Sequence, residues 1–443
     1  MMNRLSLAAA LVLAPVAAQA EPVLLISIDG LRPVDVINAD EQGLKVPNLR
    51  RFLKEGSYAS GVRGVLPTIT YPSHTTLLTG ASPARHGIVG NTTFDPTQIN
   101  QGGWFWYASD TKADTLWEAA ARAGRTTGNV HWPVSVGASA VRWNLPQIWR
   151  TGHADDAKLL TALSTPGLVG ELEHGDSHYA AGIDESITGD ENRGDFAIKL
   201  IEAHKPDFTT VYLTALDHEQ HAEGPDSAPS KVVLERIDAI VGKLIAAQMK
   251  AHPDTVIAVA SDHGFASIDT EVNLFRAFID AGLIAVNATG KVTGWQAMPW
   301  PSGGSAAIVL ANPDDAALTA RVAAVLEAVK ADPMTKVEAI LDRAAIVRAG
   351  ANPQASFYVT FRPGATAGSY KGAATPLISV PAYKGTHGYS PDLPEMRSTF
   401  LLMGKGIKRG RNLGEIDMRA IAPTLAAIMG VTLNDAEVAP IAR

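Results

Sequence analysis

Three short apolar runs, each stopping just ahead of an aspartate, set the strongest limit on what this chain can fold into. Val23-Leu24-Leu25-Ile26-Ser27-Ile28 stops at Asp29, Thr209 to Thr214 stops ahead of Asp217, and Thr255 to Ala260 stops ahead of Asp262. Continuous apolar runs of this length, bounded by turn residues, suit strands covered on both faces. Between the second and third runs, Lys231 to Lys250 carries Val233, Leu234, Ile237, Ile240, Val241, Leu244 and Ile245 at a 3.6-residue period, the mark of an amphipathic helix. Strand, helix, strand at this spacing predicts a βαβ unit in a parallel sheet. The expected fold is therefore α/β, a central mostly parallel sheet flanked by helices. Ligand sites in such sheets form outside the carboxyl ends of the strands, where Asp29, Asp217 and Asp262 fall. Any one of these, taken alone, reads equally as a helix cap or turn former.

Two stretches break the pattern. Residues 134–195 are mixed and contain polar segments such as Gly189-Asp190-Glu191-Asn192-Arg193-Gly194, which reads as a loop. Residues of about 285–380 hold a helix, Ala316 to Ala331, among short strands at Ala306 to Ala311 and Ala355 to Phe361. This second stretch is expected to form a smaller α+β subdomain within one catalytic domain spanning 21–443. Residues 1–20 have a lone Arg4, an apolar run from Leu5 to Ala18 and the small-x-small end Ala18-Gln19-Ala20. That is the pattern of a bacterial signal peptide cleaved near Ala20, which predicts a periplasmic or secreted protein. The competing reading is a membrane anchor, for which the run is short. No other apolar stretch approaches that length, so no stable membrane span is expected after cleavage.

Composition narrows the chemistry. The chain has no cysteine, which excludes disulfides, thiol nucleophiles, Cys-based zinc sites and iron–sulfur clusters. Any metal must be held by His, Asp, Glu or a hydroxyl. With 38 basic against 45 acidic residues the net charge is −7, and no block of Lys and Arg exists to neutralise a nucleic-acid backbone. Several histidines stand next to the strand-end acids. Asp217 and His221 are four apart, so a helical turn lets both point at one ion, and Asp262 is followed directly by His263. His387 lies in a glycine-flanked loop, Gly385-Thr386-His387-Gly388. Mixed oxygen and imidazole donors suit Zn²⁺. In Pro67-Thr68-Ile69-Thr70-Tyr71-Pro72-Ser73-His74, a helix starting near Pro72 would leave Thr70 just ahead of its N-terminus, a place that favours anions. A threonine hydroxyl there is a cap, or a nucleophile once something activates it.

In this order, these segments resemble the alkaline phosphatase superfamily, and within it the nucleotide pyrophosphatase/phosphodiesterase family of bacterial, type I phosphodiesterase-like enzymes. The resemblance runs from Val23 to about Gly430 and takes in Gly80-Ala81-Ser82-Pro83-Ala84-Arg85-His86-Gly87-Ile88-Val89-Gly90-Asn91 after the threonine. It implies an alkaline-phosphatase-like sandwich and two Zn²⁺, one on Asp217, His221 and His387, the other on Asp29, Asp262, His263 and the Thr70 oxygen. Another divalent metal stays open. It implies Thr70 as nucleophile with a covalent phospho-threonine intermediate, and Asn91, helped by the Tyr71 N–H, as donor to a phosphoryl oxygen. Tyr71 and Tyr212 are implied to flank a nucleotide base, with hinge packing the other reading of Tyr71 and core packing that of Tyr212. The substrate implied is a small phosphodiester or nucleotide. Asn129 to Ser135 has Trp132-Pro133 and no Lys or Arg, which argues for a diester, because a monoester calls for extra cations. The alternatives on the same site are a phosphomonoesterase and a phosphonoacetate-type phosphonate hydrolase. A metal-stabilised binding protein is the non-enzyme alternative.

Overall fold

A computed structural model describes residues 20–99, 103–148, 152–372 and 374–442. Apart from Ala20, the expected signal peptide lies outside the described residues. Eight strands form the central sheet: β1 (Val23–Ile28), β2 (Ser57–Tyr58), β3 (Thr127–Val130), β4 (Trp143–Leu145), β5 (Phe208–Leu213), β6 (Val256–Ala260), β7 (Phe400–Gly404) and β8 (Arg411–Asn412). Their order is β8-β2-β7-β6-β1-β5-β3-β4. The run from β6 to β4 is parallel, and β7 joins β6 antiparallel. The α/β class with a mostly parallel sheet is thus the observed one.

Every residue of β1 is buried, as its unbroken apolar run requires. Leu24, Ile26 and Ile28 face one core and Val23 and Leu25 the other, because successive side chains leave a strand on opposite faces. The flanking helices include α1 (Pro47–Glu55), α2 (Thr70–Thr79), α3 (Leu116–Arg122), α4 (Ile187–His204), α5 (Ala215–Glu223), α6 (Ala228–Ala251), α7 (Ala316–Ala331) and α8 (Ile421–Met429). α4 and α6 cover the first face with Phe196, Leu200, Ile237 and Val241. α2, α3 and α8 cover the second with Leu77, Leu116 and Leu425. All seven periodic apolar residues of α6 are buried, and Ser227 caps it by accepting from the Ser230 N–H. A separate antiparallel sheet, in the order Ala297–Pro301, Ser305–Leu310, Phe357–Phe361, Val337–Leu341, packs with α7. Among the described residues no helix is long and apolar enough to cross a membrane.

Two local expectations fail. Gly189 to Gly194 is no loop but lies within the first half of α4, whose N-terminus Ser186 caps through the Gly189 N–H. Its polarity misled because Asp190 and Arg193 are completely buried and paired with each other. α2 begins at Thr70, two residues earlier than expected, with Ile69 in extended backbone ahead of it. Pro72 fits as its third residue, since the N–H groups of the first turn have no intrahelical acceptor to lose.

Candidate metal and phosphoryl site

Sheet register brings the strand ends to one level. Ile28 pairs with Leu213, and Ser27 with both Tyr212 and Ala260, so Asp29, the start of α5 and Asp262 leave the sheet side by side. The Asp29 N–H donates to the Leu213 carbonyl at 2.9 Å. α5 places His221 Nε2 3.4 Å from Asp217 Oδ2, and His387 Nε2 lies 3.5 Å from Asp217 Oδ1. On the other side, His263 Nε2 lies 3.0 Å from Asp262 Oδ2 and 3.3 Å from Asp29 Oδ1.

The imidazoles are held the same way. Nδ1 of His221 faces the Gly385 carbonyl at 2.9 Å, that of His263 the Gly264 carbonyl at 3.1 Å, and that of His387 the Thr68 carbonyl at 3.1 Å. An Nδ1–H on each ring, assigned from these acceptors, leaves Nε2 with its lone pair turned into the site. The glycines after two of these histidines are needed for close packing. A Cβ at Gly264 would stand 2.0 Å from the Glu395 carbonyl oxygen, and one at Gly388 1.8 Å from that of Ser302.

Asp217, His263 and His387 place ligand atoms within 4.8 Å of one another, and so do Asp29, Asp262 and His263. This partition departs from the expected one, because His263 belongs to both groups while His221 stands against the far oxygen of Asp217. The rings of His263 and His387 stack at 3.6 Å between centroids, which draws the two groups together. The donor set fits divalent cations on a direct observation. Asp29 Oδ1, Asp217 Oδ1, Asp262 Oδ2 and His263 Nε2 are buried and accept or donate no hydrogen bond. Buried polar atoms are in general hydrogen-bonded, and these four unpaired atoms fall within one pair of adjoining ligand groups. Burial, then repulsion from Asp262 and Asp217, raises the Asp29 carboxyl well above its ordinary range. Burial, then Glu185 and Asp262, raises that of Asp217. Asp262 is held below its ordinary range: burial pushes it up, but the His263 and His74 imidazoles outweigh that. Burial lowers His221 to about 4 and holds His387 well below its ordinary value.

Asp29, Asp217, His221 and His387 line a cleft of about 330 Å³ with Thr70, Tyr71 and Asn91, together with Trp104, Glu185, Tyr212, Tyr383 and others, and Asp262 and His263 lie buried behind them. Its described lining contains no Lys or Arg. Thr70, the first residue of α2, sits where the helix dipole favours an anion. The Tyr71 N–H donates to Asn91 Oδ1 at 2.9 Å, which fixes the amide and turns its NH₂ outward. This N–H therefore acts by orienting Asn91.

The two tyrosines fall in different surroundings. Tyr71 lies beside Trp104, with centroids 5.3 Å apart, against Ile88 and Val134. Tyr212 is 2% exposed, its ring packed edge-on to His74 at 4.4 Å and its hydroxyl donating to Asp29 Oδ2. So placed, its hydroxyl steadies a carboxylate while the residue also lines the cleft. His74 bridges the Ser27 hydroxyl and the Thr70 carbonyl. Trp104, Glu185 and Tyr383 were not foreseen. Glu185 stands 3.3 Å from His218 and belongs to no motif. A hint for Trp104 was present in Gly103-Trp104-Phe105-Trp106, three aromatics in a glycine-rich segment.

A family profile described as type I phosphodiesterase / nucleotide pyrophosphatase matches residues 23–390. Human ectonucleotide pyrophosphatase/phosphodiesterase family member 1 is 25% identical over 261 residues, covering 56% of this chain and 24% of its own. Bovine bis(5'-adenosyl)-triphosphatase ENPP4 is 28% identical over 258 residues, covering 57% and 49%. The chain spans at most about half the length of these curated relatives. Among solved structures, murine ectonucleotide pyrophosphatase/phosphodiesterase 5 superposes with a TM-score of 0.66 at 21% identity, over 95% of this chain and 98% of that one. An inactive Thr-to-Ala form of the murine protein in complex with AMP superposes equally well, at 20% identity over 95% and 97%. These likenesses carry the fold.

Proposed function

Because the chain belongs to the type I phosphodiesterase / nucleotide pyrophosphatase family, we propose that it hydrolyses small phosphodiesters or nucleotide pyrophosphate bonds. The observation that carries this reading is the clustering of orphaned donor atoms from Asp29, Asp217, Asp262 and His263, of which Asp29 and Asp217 line a cleft together with Thr70 while Asp262 and His263 stand buried behind them. We assign Asp217, His221 and His387 to one cation, and Asp29, Asp262, His263 and Thr70 to a second, with Zn²⁺ favoured by the mixed carboxylate and imidazole donors. When bound, such a pair supplies positive charge for the phosphoryl oxygens and for the attacking and leaving oxygens.

The chain's own residues do the rest. Thr70 gives up its hydroxyl proton to solvent as Oγ attacks phosphorus in line; the Oγ–P bond forms and the ester or pyrophosphate oxygen leaves with its electron pair. A water then displaces Thr70 from phosphorus, and two inversions give net retention. Asn91 donates its NH₂ to a non-bridging oxygen, held in place by the Tyr71 N–H. Tyr71 and Trp104 offer an aromatic wall to a base. Tyr212 holds Asp29. The absence of Lys and Arg from the described lining, with Glu185 present, favours a diester with one non-bridging charge over a monoester with two. An exported location follows the signal-peptide reading of residues 1–20.

The test compares kcat/KM for bis-p-nitrophenyl phosphate, p-nitrophenyl-thymidine monophosphate and p-nitrophenyl phosphate. Preference for either diester supports the proposal, whereas preference for the simple monoester moves the reading to a phosphomonoesterase. Full activity of Thr70→Ala, or of chelated protein, removes the mechanism.

A further inference from the structure

α5 carries both Asp217 and His221, yet its N-terminus lacks a cap of its own: the residue before it, Thr214, makes no side-chain capping bond. The first N–H groups are satisfied from another helix. Thr214 N–H donates to Asp190 Oδ1 and Ala215 N–H to Asp190 Oδ2, both at 2.9 Å. A carboxylate at this position is favoured by the helix dipole as well as by the two bonds. Asp190 is fully buried in α4, and so is its partner Arg193. Arg193 Nε donates to Asp190 Oδ1 at 3.0 Å, and Nη2 to the same oxygen and to Thr214 Oγ1, the latter at 2.8 Å. Nη1 donates to the carbonyls of Gly182 and Asp184, directly ahead of Glu185 in the cleft wall.

Stability alone is a poor account of this pair. A buried ion pair is often no better than apolar residues of the same volume, since both charges lose their hydration. Here the bonds of the two side chains run between them, to the N-terminus of α5, and to the carbonyls of Gly182 and Asp184, the latter next to Glu185 in the cleft wall. We propose that Asp190 and Arg193 are positioning residues that set the angle of α5, and with it the geometry of Asp217 and His221 as one metal-binding unit. Removing part of this support loosens one metal position and leaves the Asp29, Asp262 and His263 position as it was.

The inference rests on the two-cation reading above, so its test begins with wild-type protein. Chelated protein is titrated with Zn²⁺ by calorimetry, with Asp262→Asn and His221→Ala marking which phase belongs to which position. Absence of two phases in wild type defeats the two-cation reading itself. Given two phases, Asp190→Asn should weaken the His221-dependent phase by 10-fold or more, in the range of outer ligand supports, and leave the other within about 2-fold. Thr214→Val, which keeps the buried ion pair and deletes only the hydroxyl held by Arg193, should weaken the same phase to a smaller degree. Unchanged affinities in both variants overturn the proposal, as does equal weakening of both phases, the outcome of general loosening. If Asp190→Asn does not fold, Thr214→Val decides alone. Hydrogen exchange adds a check needing no substitution: the Thr214 and Ala215 amides should be protected in chelated wild type, and rapid exchange there contradicts the proposal.

Discussion

Substituting Asp29 by asparagine should have opposite effects on stability with and without metal. Asp29 and Asp262 place carboxylate oxygens within 4.8 Å of each other in a buried setting. At an effective dielectric constant of about 20, two unit charges at that separation repel by about 3.5 kcal/mol. The Tyr212 hydroxyl, bonded to Asp29, returns about 1.5–3 kcal/mol to the charged form. Desolvation adds to the repulsion, so a net penalty of about 2 kcal/mol remains for the ionised acid in chelated protein. The sign follows from linkage. The folded carboxyl is raised above its unfolded value, so the metal-free fold loses stability as pH climbs from about 4 towards the folded value, and the loss is complete above it. The amide that replaces the carboxyl has no such proton to lose and escapes this penalty. At pH 8 in excess chelator, Asp29→Asn should melt about 2 °C above wild type, from an unfolding entropy of about 2.1 cal/mol/K per residue. In metal at 100-fold over Kd, wild type gains about 2.7 kcal/mol per site, and the variant, short of a ligand, should fall below it. Paired melts by scanning calorimetry or dye fluorescence, in chelator and in Zn²⁺, read the crossover. A variant that is destabilised to the same degree in both conditions refutes the reasoning that unbalanced acidic charge defines this site.

Other substitutions separate roles within the cleft. Thr70→Ala should abolish steady-state turnover while both Zn²⁺ phases persist, with affinity at the Thr70-containing position reduced; retained turnover would remove Thr70 as nucleophile. Tyr212→Phe keeps a ring fit to stack on a base but loses the hydroxyl on Asp29, so metal affinity at that position should fall about 10-fold with KM for p-nitrophenyl-thymidine monophosphate nearly unchanged. The reverse pattern would return Tyr212 to a base-binding role. Gly388→Ala forces a Cβ to within 1.8 Å of the Ser302 carbonyl oxygen at a φ of +87°, so the loop must shift and carry His387 with it. Metal content measured by mass spectrometry should drop by about one ion per chain.

What was legible in the sequence follows from which forces act locally. β1, β5 and β6 were readable because strands buried on both faces have no choice but apolar residues throughout, and α6 because one face of a helix writes its period directly into the chain. The acids and histidines were readable as candidates because their chemistry belongs to the residue type and their place to the strand ends. How closely the two ligand groups approach was not readable, since it depends on how the loop at His387 stacks on His263, a contact between residues 124 apart in sequence. The same limit explains α4. Asp190 and Arg193 look like solvated loop residues because polarity ordinarily marks surface, and nothing near them in sequence records that Thr214 and Ala215 supply their bonding partners. Tyr212 shows the limit from the other side. A strand tyrosine alternates predictably toward one core face, but whether its hydroxyl meets a base, a water or the carboxylate of Asp29 is decided by a neighbouring strand that enters the chain 183 residues earlier. Local periodicity therefore specifies the scaffold and the donor types. The pairing of donors, and the supports that aim them, are tertiary properties, and the substitutions at Asp190, Thr214 and Tyr212 are aimed at that layer.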